Sequence, residues 1–167
     1  MNSRSRSDPF LERATERVAE ALPDVDLDVF RLSFILTRTS NRFTRHVESV
    51  AHRPRGLTTA GLRILFTLWT SGPLEAHRIA VLAGLSRASV SSVVNTLERD
   101  GRVVRSREHE DRRLVTVSLT PVGEQAVSEA YGAQHEAERR LLRGLSAGDR
   151  AGLTELLEIL LDAPLDD

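Results

Sequence analysis

The sequence predicts a mainly α fold that carries a small β-hairpin. Three observations predict it. Apolar residues recur at helical spacing through most of the chain, short Gly- and Pro-containing joints separate these segments, and the stretch from Val103 to Thr120 alternates with a period of two. In that stretch "RVVRS" and "RLVTVSLT" flank a knot of charge: Arg107, Glu108, His109, Glu110, Asp111, Arg112 and Arg113. A solvated turn needs only a few of these groups, so the rest of the chain must supply their reason.

The elements follow in order. Residues 1–9 are polar, and a first helical pattern runs from Phe10 to about Leu22, ended by Pro23. A long second pattern opens with Asp26 or Asp28 as a cap. It places Val29, Leu32, Ile35, Leu36, Phe43, Val47 and Val50 at helical spacing until "RPRG" breaks it at Arg53 to Gly56. Thr58 then caps a helix with a stripe of Leu62, Leu65, Phe66 and Trp69, stopped by Gly72-Pro73. A short helix with Ile79, Leu82 and Ala83 inward closes at Gly84. Ser86 caps the next helix, which stops at Gly101. After the hairpin, Thr120-Pro121 opens a long helix with Pro at its first position. Ser146 and Asp149 form a capping box ahead of the last helix. Three helices packed into a short span and followed by two strands have the order of a winged helix-turn-helix.

Composition narrows the function classes. The chain has 167 residues, 40% apolar, and no cysteine, which removes disulfides, thiolate zinc sites and thiol redox sensing. No run of about 18 uncharged apolar residues exists, and "MNSRSRSDPFLERATER" lacks an apolar signal core; a cytoplasmic protein without a membrane partner is expected. Net charge is −1, but its distribution is uneven. From Arg42 to Arg63 there are five arginines and one acid, whereas from Thr116 to Asp167 there are four arginines and ten acids. All 23 basic residues are arginine, a residue suited to bidentate phosphate and base contacts; codon bias is the bland explanation for the missing lysine.

An enzyme is not expected. There is no G-x-S-x-G, no phosphate loop and no carboxylate pair in a Gly-rich setting, and none of His46, His52, His77, His109 and His135 sits in a nucleophile arrangement. A metal site is not expected either. His46 and His52 are six residues apart and share a helix face poorly, and without cysteine a zinc site would need ligands gathered from distant segments. No cofactor is implied.

The helix from Ser86 to Arg99 carries the functional signal. Val90, Val93, Val94 and Leu97 make one apolar face. Opposite lie Ala88, Ser92 and Asn95, flanked by Ser89, Ser91 and Thr96, with Arg87 in the first turn. A merely solvated face would carry Glu and Lys. A face of small hydroxyl and amide side chains with one Arg suits approach to base edges in a DNA major groove. Its place after a short helix and a Gly joint strengthens that reading. A basic hairpin tip beside it reaches an adjacent minor groove, where a narrow A·T-rich groove attracts Arg. Asp111, two residues before Arg113, is placed to hold that guanidinium in a fixed pose.

On "LSRASVSSVVNTLERDGRVVR" and "DRRLVTVSLTPVG", the sequence resembles the MarR family of bacterial transcriptional regulators, over about Leu27 to Leu161. The resemblance implies a sequence-specific DNA-binding regulator. Arg87, Ser89, Ser91 and Ser92 match positions facing bases or phosphates, and Asp111 and Arg113 match the wing motif; Asn95 and Arg112 complete the expected DNA-binding set. It also implies a homodimer on a pseudo-palindromic operator of double-stranded DNA, with a small molecule that weakens DNA binding. The chain departs from the pattern at His109, where the family often has Pro, and at Arg102, where an apolar residue usually follows the glycine. Arg102 is expected to be an extra phosphate contact.

The expected organisation is an N-terminal extension over 1–25, a helical dimerisation region over 26–56 and 121–163, and a winged helix-turn-helix DNA-binding domain over 57–120. Leu153, Leu156, Leu157, Leu160 and Leu161 make a dimerisation stripe, complemented by Val29, Leu32 and Leu36. The expected function is a repressor released by a small anionic aromatic ligand, in a pocket of Arg42, Phe43, His46, Phe66 and Trp69. The same aromatics at helical spacing also fit ordinary core. The alternatives are a metal-responsive or constitutive DNA-binding regulator, or a helical protein-interaction module.

Overall fold

The computed structural model describes residues 8–107 and 115–164. The chain divides into two compact units after Arg45.

The first unit pairs α1 (Pro9–Ala21) with most of α2 (Leu27–Val47). The Asp8 carboxylate caps α1 by accepting from the Phe10 N–H at 2.9 Å, and Pro9 occupies the first turn, where its missing N–H costs nothing. Asp26 rather than Asp28 caps α2, accepting from the N–H groups of Asp28 and Val29 at 2.9 and 3.1 Å. Leu11 is buried between the helices, and Phe10 stacks on Phe34 with ring centroids 5.9 Å apart. Val29, Leu32, Ile35 and Leu36 of α2 remain exposed.

The second unit begins at His46, and the helical register slips just beyond the end of α2. Residues Glu48–His52 form a π-helical turn and Arg53–Arg55 a 3-10 turn. Gly56 ends it at φ 64°, a left-handed conformation that glycine adopts without a Cβ penalty. Thr58 caps α3 (Thr59–Ser71) by accepting from the Gly61 N–H at 3.0 Å. Then come β1 (Leu74–Glu75), α4 (Ala76–Ala83) and α5 (Arg87–Arg99). Gly84 turns the chain at φ 62°, and α4 and α5 cross at 108°, within the range of a helix-turn-helix pair. Strands β2 (Val103–Arg107) and β3 (Val115–Leu119) form an antiparallel ladder from Val103↔Leu119 to Arg107↔Val115. β1 adds to the far edge of β3, with Leu74 opposite Val117, so the sheet order is β1-β3-β2. Helices α6 (Pro121–Leu142) and α7 (Ala147–Asp162) complete the chain. Thr120 caps α6, and Ser146 with Asp149 forms the capping box of α7.

The core centres on α3. Leu62, Ile64, Leu65 and Leu68 pack with Ile79 of α4, Val90 and Val94 of α5, Val103 and Val117 of the sheet, and Val127 of α6. Two expected core residues lie outside it. Leu82 is 52% exposed because Ile79, Ala80 and Ala83 set the inward face of α4, and Leu82 falls to one side of it. Trp69 is 47% exposed because the buried arc of α3 is set by Gly61, Ile64, Leu65 and Leu68, leaving Phe66 and Trp69 on its edge. Helix α7 contributes no buried residue. Among the described residues, no single helix is long and apolar enough to cross a membrane.

Candidate nucleic-acid interface

Helix α5 presents two contrasting faces. Val90, Val94 and Leu97 are buried and Val93 half-buried, which fixes the helix rigidly on the core. The opposite face exposes Arg87, Ala88, Ser91, Ser92, Asn95 and Thr96. Ser86 caps the helix, its Oγ accepting from the Ser89 N–H at 3.1 Å. The Ser89 hydroxyl lies 2.8 Å from the Ser86 Oγ and is therefore tied into the cap. The side chains of Arg87, Ser91 and Ser92 have no hydrogen-bond or ion-pair partner among the described residues. One cation and two hydroxyls thus stand available on the surface of the first turns.

Further along α5 the surface is organised by β2. Arg105 donates from Nη1 to Glu98 Oε2 at 2.5 Å and from Nη2 to Asn95 Oδ1 at 2.7 Å. Of the expected interface residues, Asn95 is thereby held and Ser89 partly occupied, while Arg87, Ser91 and Ser92 have no side-chain partner among the described residues. Nothing in the periodicity of α5 pointed to Arg105, because its contact crosses from strand to helix.

Asp111, Arg112 and Arg113 lie outside the described residues, in the connection between the paired strand ends Arg107 and Val115. Arg102 is not a free phosphate contact. Its guanidinium donates to the backbone oxygens of Gly56 and Arg55, each at 3.0 Å, and so clasps the turn before α3 to the start of β2. A left-handed turn leaves those carbonyls without helical partners, and a forked donor satisfies both.

The expected ligand-pocket residues fall in different units. Arg42 and Phe43 belong to the first, and His46, Phe66 and Trp69 to the second. Within the first unit an open cleft of about 630 Å³ is lined by Arg31, Arg38, Arg42 and Arg45 beside Phe34 and Ile35. Arg38 pairs with Asp8 at 2.6 Å and lies over the Phe34 ring at 5.5 Å. Arg42 and Arg45 have no ion-pair partner among the described residues. Within the second unit Phe66 packs against Trp69 and Tyr131 at centroid distances of 6.0 and 5.1 Å, and Tyr131 stacks on His135 at 6.5 Å. Tyr131 and His135, four apart on α6, extend this aromatic surface; their partnership with α3 has no local signal.

Deeper in the same unit, His52 is buried and its Nε2 lies 2.8 Å from Gln134 Oε1. The Gln134 amide nitrogen donates to Glu138 at 2.7 Å, so its oxygen faces His52, and His52 Nε2 is the donor.

A short helix crossing a second helix at 108°, a polar outer face on that helix and a strand pair directly after it define a winged helix-turn-helix. The MarR family profile matches residues 57–115. YwaE of Bacillus subtilis, an uncharacterized HTH-type transcriptional regulator, is 34% identical over 138 residues, covering 83% of this chain and 81% of its own. The homoprotocatechuate degradative operon repressor of Escherichia coli is 32% identical over 102 residues, 61% of this chain and 69% of its own. The structure of BpsR from Bordetella bronchiseptica, a protein whose DNA binding is regulated by 6-hydroxynicotinic acid, superposes with a TM-score of 0.72 at 23% identity, over 79% of this chain and 99% of that one. The chain belongs to the MarR family and is a DNA-binding transcriptional regulator.

Proposed function

We propose that the chain is a cytoplasmic repressor that binds a pseudo-palindromic operator as a homodimer and leaves it on binding a small anionic aromatic ligand. The observation that carries the DNA reading is the outer face of α5, where Arg87, Ser91 and Ser92 stand exposed and, among the described residues, unpartnered on a helix locked by a buried valine face. Such a face is short enough to approach base edges and retains its hydrogen-bonding groups. In this reading residues 57–120 form the DNA-binding domain, 26–56 and 121–163 the dimerisation region, and 1–25 an extension. Arg87, Ser89, Ser91, Ser92 and Asn95 meet the major groove. Arg113 enters the minor groove, oriented by Asp111, and Arg112 belongs to the same DNA-binding set.

Two features support a ligand of this class. The aromatic surface of Phe66, Trp69 and Tyr131 offers walls for a flat ring. Taken by itself, the cleft of the first unit offers a carboxylate the guanidinium of Arg42, which has no ion-pair partner among the described residues, beside the Phe34 ring. Repression fits the relative that is named as a repressor of a degradative operon.

The test begins with DNA selected by the protein from its own genome, in a gel shift at two salt concentrations. Phosphate contacts make the affinity fall steeply as salt rises. Aromatic acids are then titrated while Trp69 fluorescence is followed. Binding that ignores salt overturns the DNA reading. DNA that no member of the panel releases, together with unchanged promoter control in Arg42→Ala and His46→Ala strains, overturns the ligand reading.

A further inference from the structure

We propose that Arg105 sets the base preference of Asn95 by fixing which end of its amide faces the DNA. The inference rests on α5 being the groove helix. It adds a positioning residue whose guanidinium is engaged by two acceptors of the protein itself.

The argument is one of donors and acceptors. A guanidinium has only donors, so the Asn95 amide atom 2.7 Å from Arg105 Nη2 is the oxygen. The NH2 end is directed away from Arg105. A free Asn on a recognition helix turns its amide either way, and its best pairing, with adenine N6 and N7, uses oxygen and nitrogen together. Here a charged donor engages the oxygen, and reversal would set an NH2 against a guanidinium, two donors with no acceptor between them. Asn95 therefore meets the groove as a donor. Guanine O6, purine N7 and thymine O4 accept from it, whereas cytosine offers its own N4 donor and is rejected.

The lock is itself held. Glu98 Oε2 accepts from the other arm of Arg105 at 2.5 Å, and the Arg105 side chain is only 31% exposed. Both acceptors lie on α5 three residues apart, while Arg105 sits on β2, so the fork spans strand and helix as one rigid unit. The guanidinium is thereby withdrawn from the phosphates and spent on orientation. Lysine, with a single ammonium instead of a planar fork, does not serve both acceptors in this geometry.

The experiment uses the full chain. A DNA pool randomised across the operator is selected with the wild type, with Asn95→Ala, and with Arg105→Lys and Arg105→Gln. The step whose preference flattens in Asn95→Ala is the step that Asn95 reads. At that step the wild type should disfavour cytosine, on the strand Asn95 faces, by roughly tenfold, in line with the lower range for one wrong base pair. Both Arg105 variants should shrink this discrimination against cytosine to within about threefold, while the slope of log affinity against log salt stays as in the wild type. In the Asn95→Ala background the Arg105 substitutions should leave the profile unchanged. The lysine and glutamine variants differ in charge but share the lost fork, so a common profile change reports the fork and not misfolding. A wild-type salt slope with an unaltered base profile in both variants overturns the role of Arg105. An Asn95→Ala profile identical to the wild type overturns it as well. Loss of all salt-dependent binding by the wild type overturns the DNA reading itself, a separate outcome.

Discussion

Gly123 lies so close to Arg102 that a Cβ on it would stand 2.0 Å from the Arg102 carbonyl oxygen. That oxygen accepts from the Thr120 N–H at 3.1 Å, so the first turn of α6 is seated on the turn that ends α5. The obstacle is backbone, which does not swing aside as a side-chain tip does. Gly123→Ala should destabilise the protein by about 1–3 kcal/mol, the range for overpacking. Gly132, on the same helix with open space around it, is the control: its replacement by Ala should stabilise by about 0.8–1 kcal/mol. Urea midpoints at constant m report both, and shifts of the same sign would remove the steric account.

The clasp of Arg102 on the Arg55 and Gly56 carbonyls predicts a split between stability and DNA binding. Arg102→Ala should lower the urea midpoint by the equivalent of about 1–3 kcal/mol, since it leaves two carbonyls short of a charged donor. The salt slope of DNA binding should not change. A slope reduced by about one with undiminished stability would restore a phosphate role to Arg102.

Glu48 predicts a pH dependence. Its carboxylate accepts from Thr59 Oγ1 at 2.8 Å and from Arg53 Nε at 3.1 Å, and these bonds, the Thr59 bond foremost, hold it below the usual glutamate value. A carboxyl whose folded value is depressed contributes stability that is complete above the unfolded value and fades as pH falls through the folded one. Glu48→Gln and Thr59→Val should therefore be less stable than the wild type at neutral pH. The gap should narrow as the pH drops below 4.5, the ordinary value. Thermal unfolding along a pH series reads this directly; a gap that widens on acidification has the wrong sign for the mechanism.

What was legible in the sequence was local. The caps at Thr58, Ser86, Thr120 and Ser146 join a side chain to an N–H three residues on, so residue type and spacing suffice to find them. The outer face of α5 was legible for the same reason, since helical period assigns a residue to a face. What was not legible depends on parts distant in the chain. Strand β1 has two residues and no pattern of its own; it is defined by pairing with Val117 and Thr116. The π-turn at Glu48–His52 is a slip in register that moves the buried face, leaving Val50, expected on the apolar stripe, 45% exposed while Ala51 and His52 are buried. Arg102 and Arg105 look alike in sequence, two arginines near a basic wing. Only their placement shows that one fastens a turn and the other holds Asn95 and Glu98.

Helix α7 predicts how the protein assembles. None of its residues is buried, yet Leu153, Leu156, Leu157, Ile159, Leu160 and Leu161 are all more than 40% exposed. Apolar surface in water carries a cost of about 25 cal/mol per Å², so a stripe of this size calls for a cover. The exposed Val29, Leu32 and Leu36 of α2 on a second copy have the matching chemistry. Because the core around α3 takes no residue from α7, deleting residues 146–167 should leave that core folded, with the melting transition preserved. The dimer should be lost. Operator affinity should fall on the order of 100-fold or more, because two half-sites engaged through one linked pair gain an effective concentration that separate monomers lack. Light scattering gives the mass, and a gel shift on whole and half operators gives the affinity. A truncated chain that stays dimeric would take the interface away from α7. A truncated chain that becomes monomeric but keeps full operator affinity would instead separate dimerisation from DNA recognition.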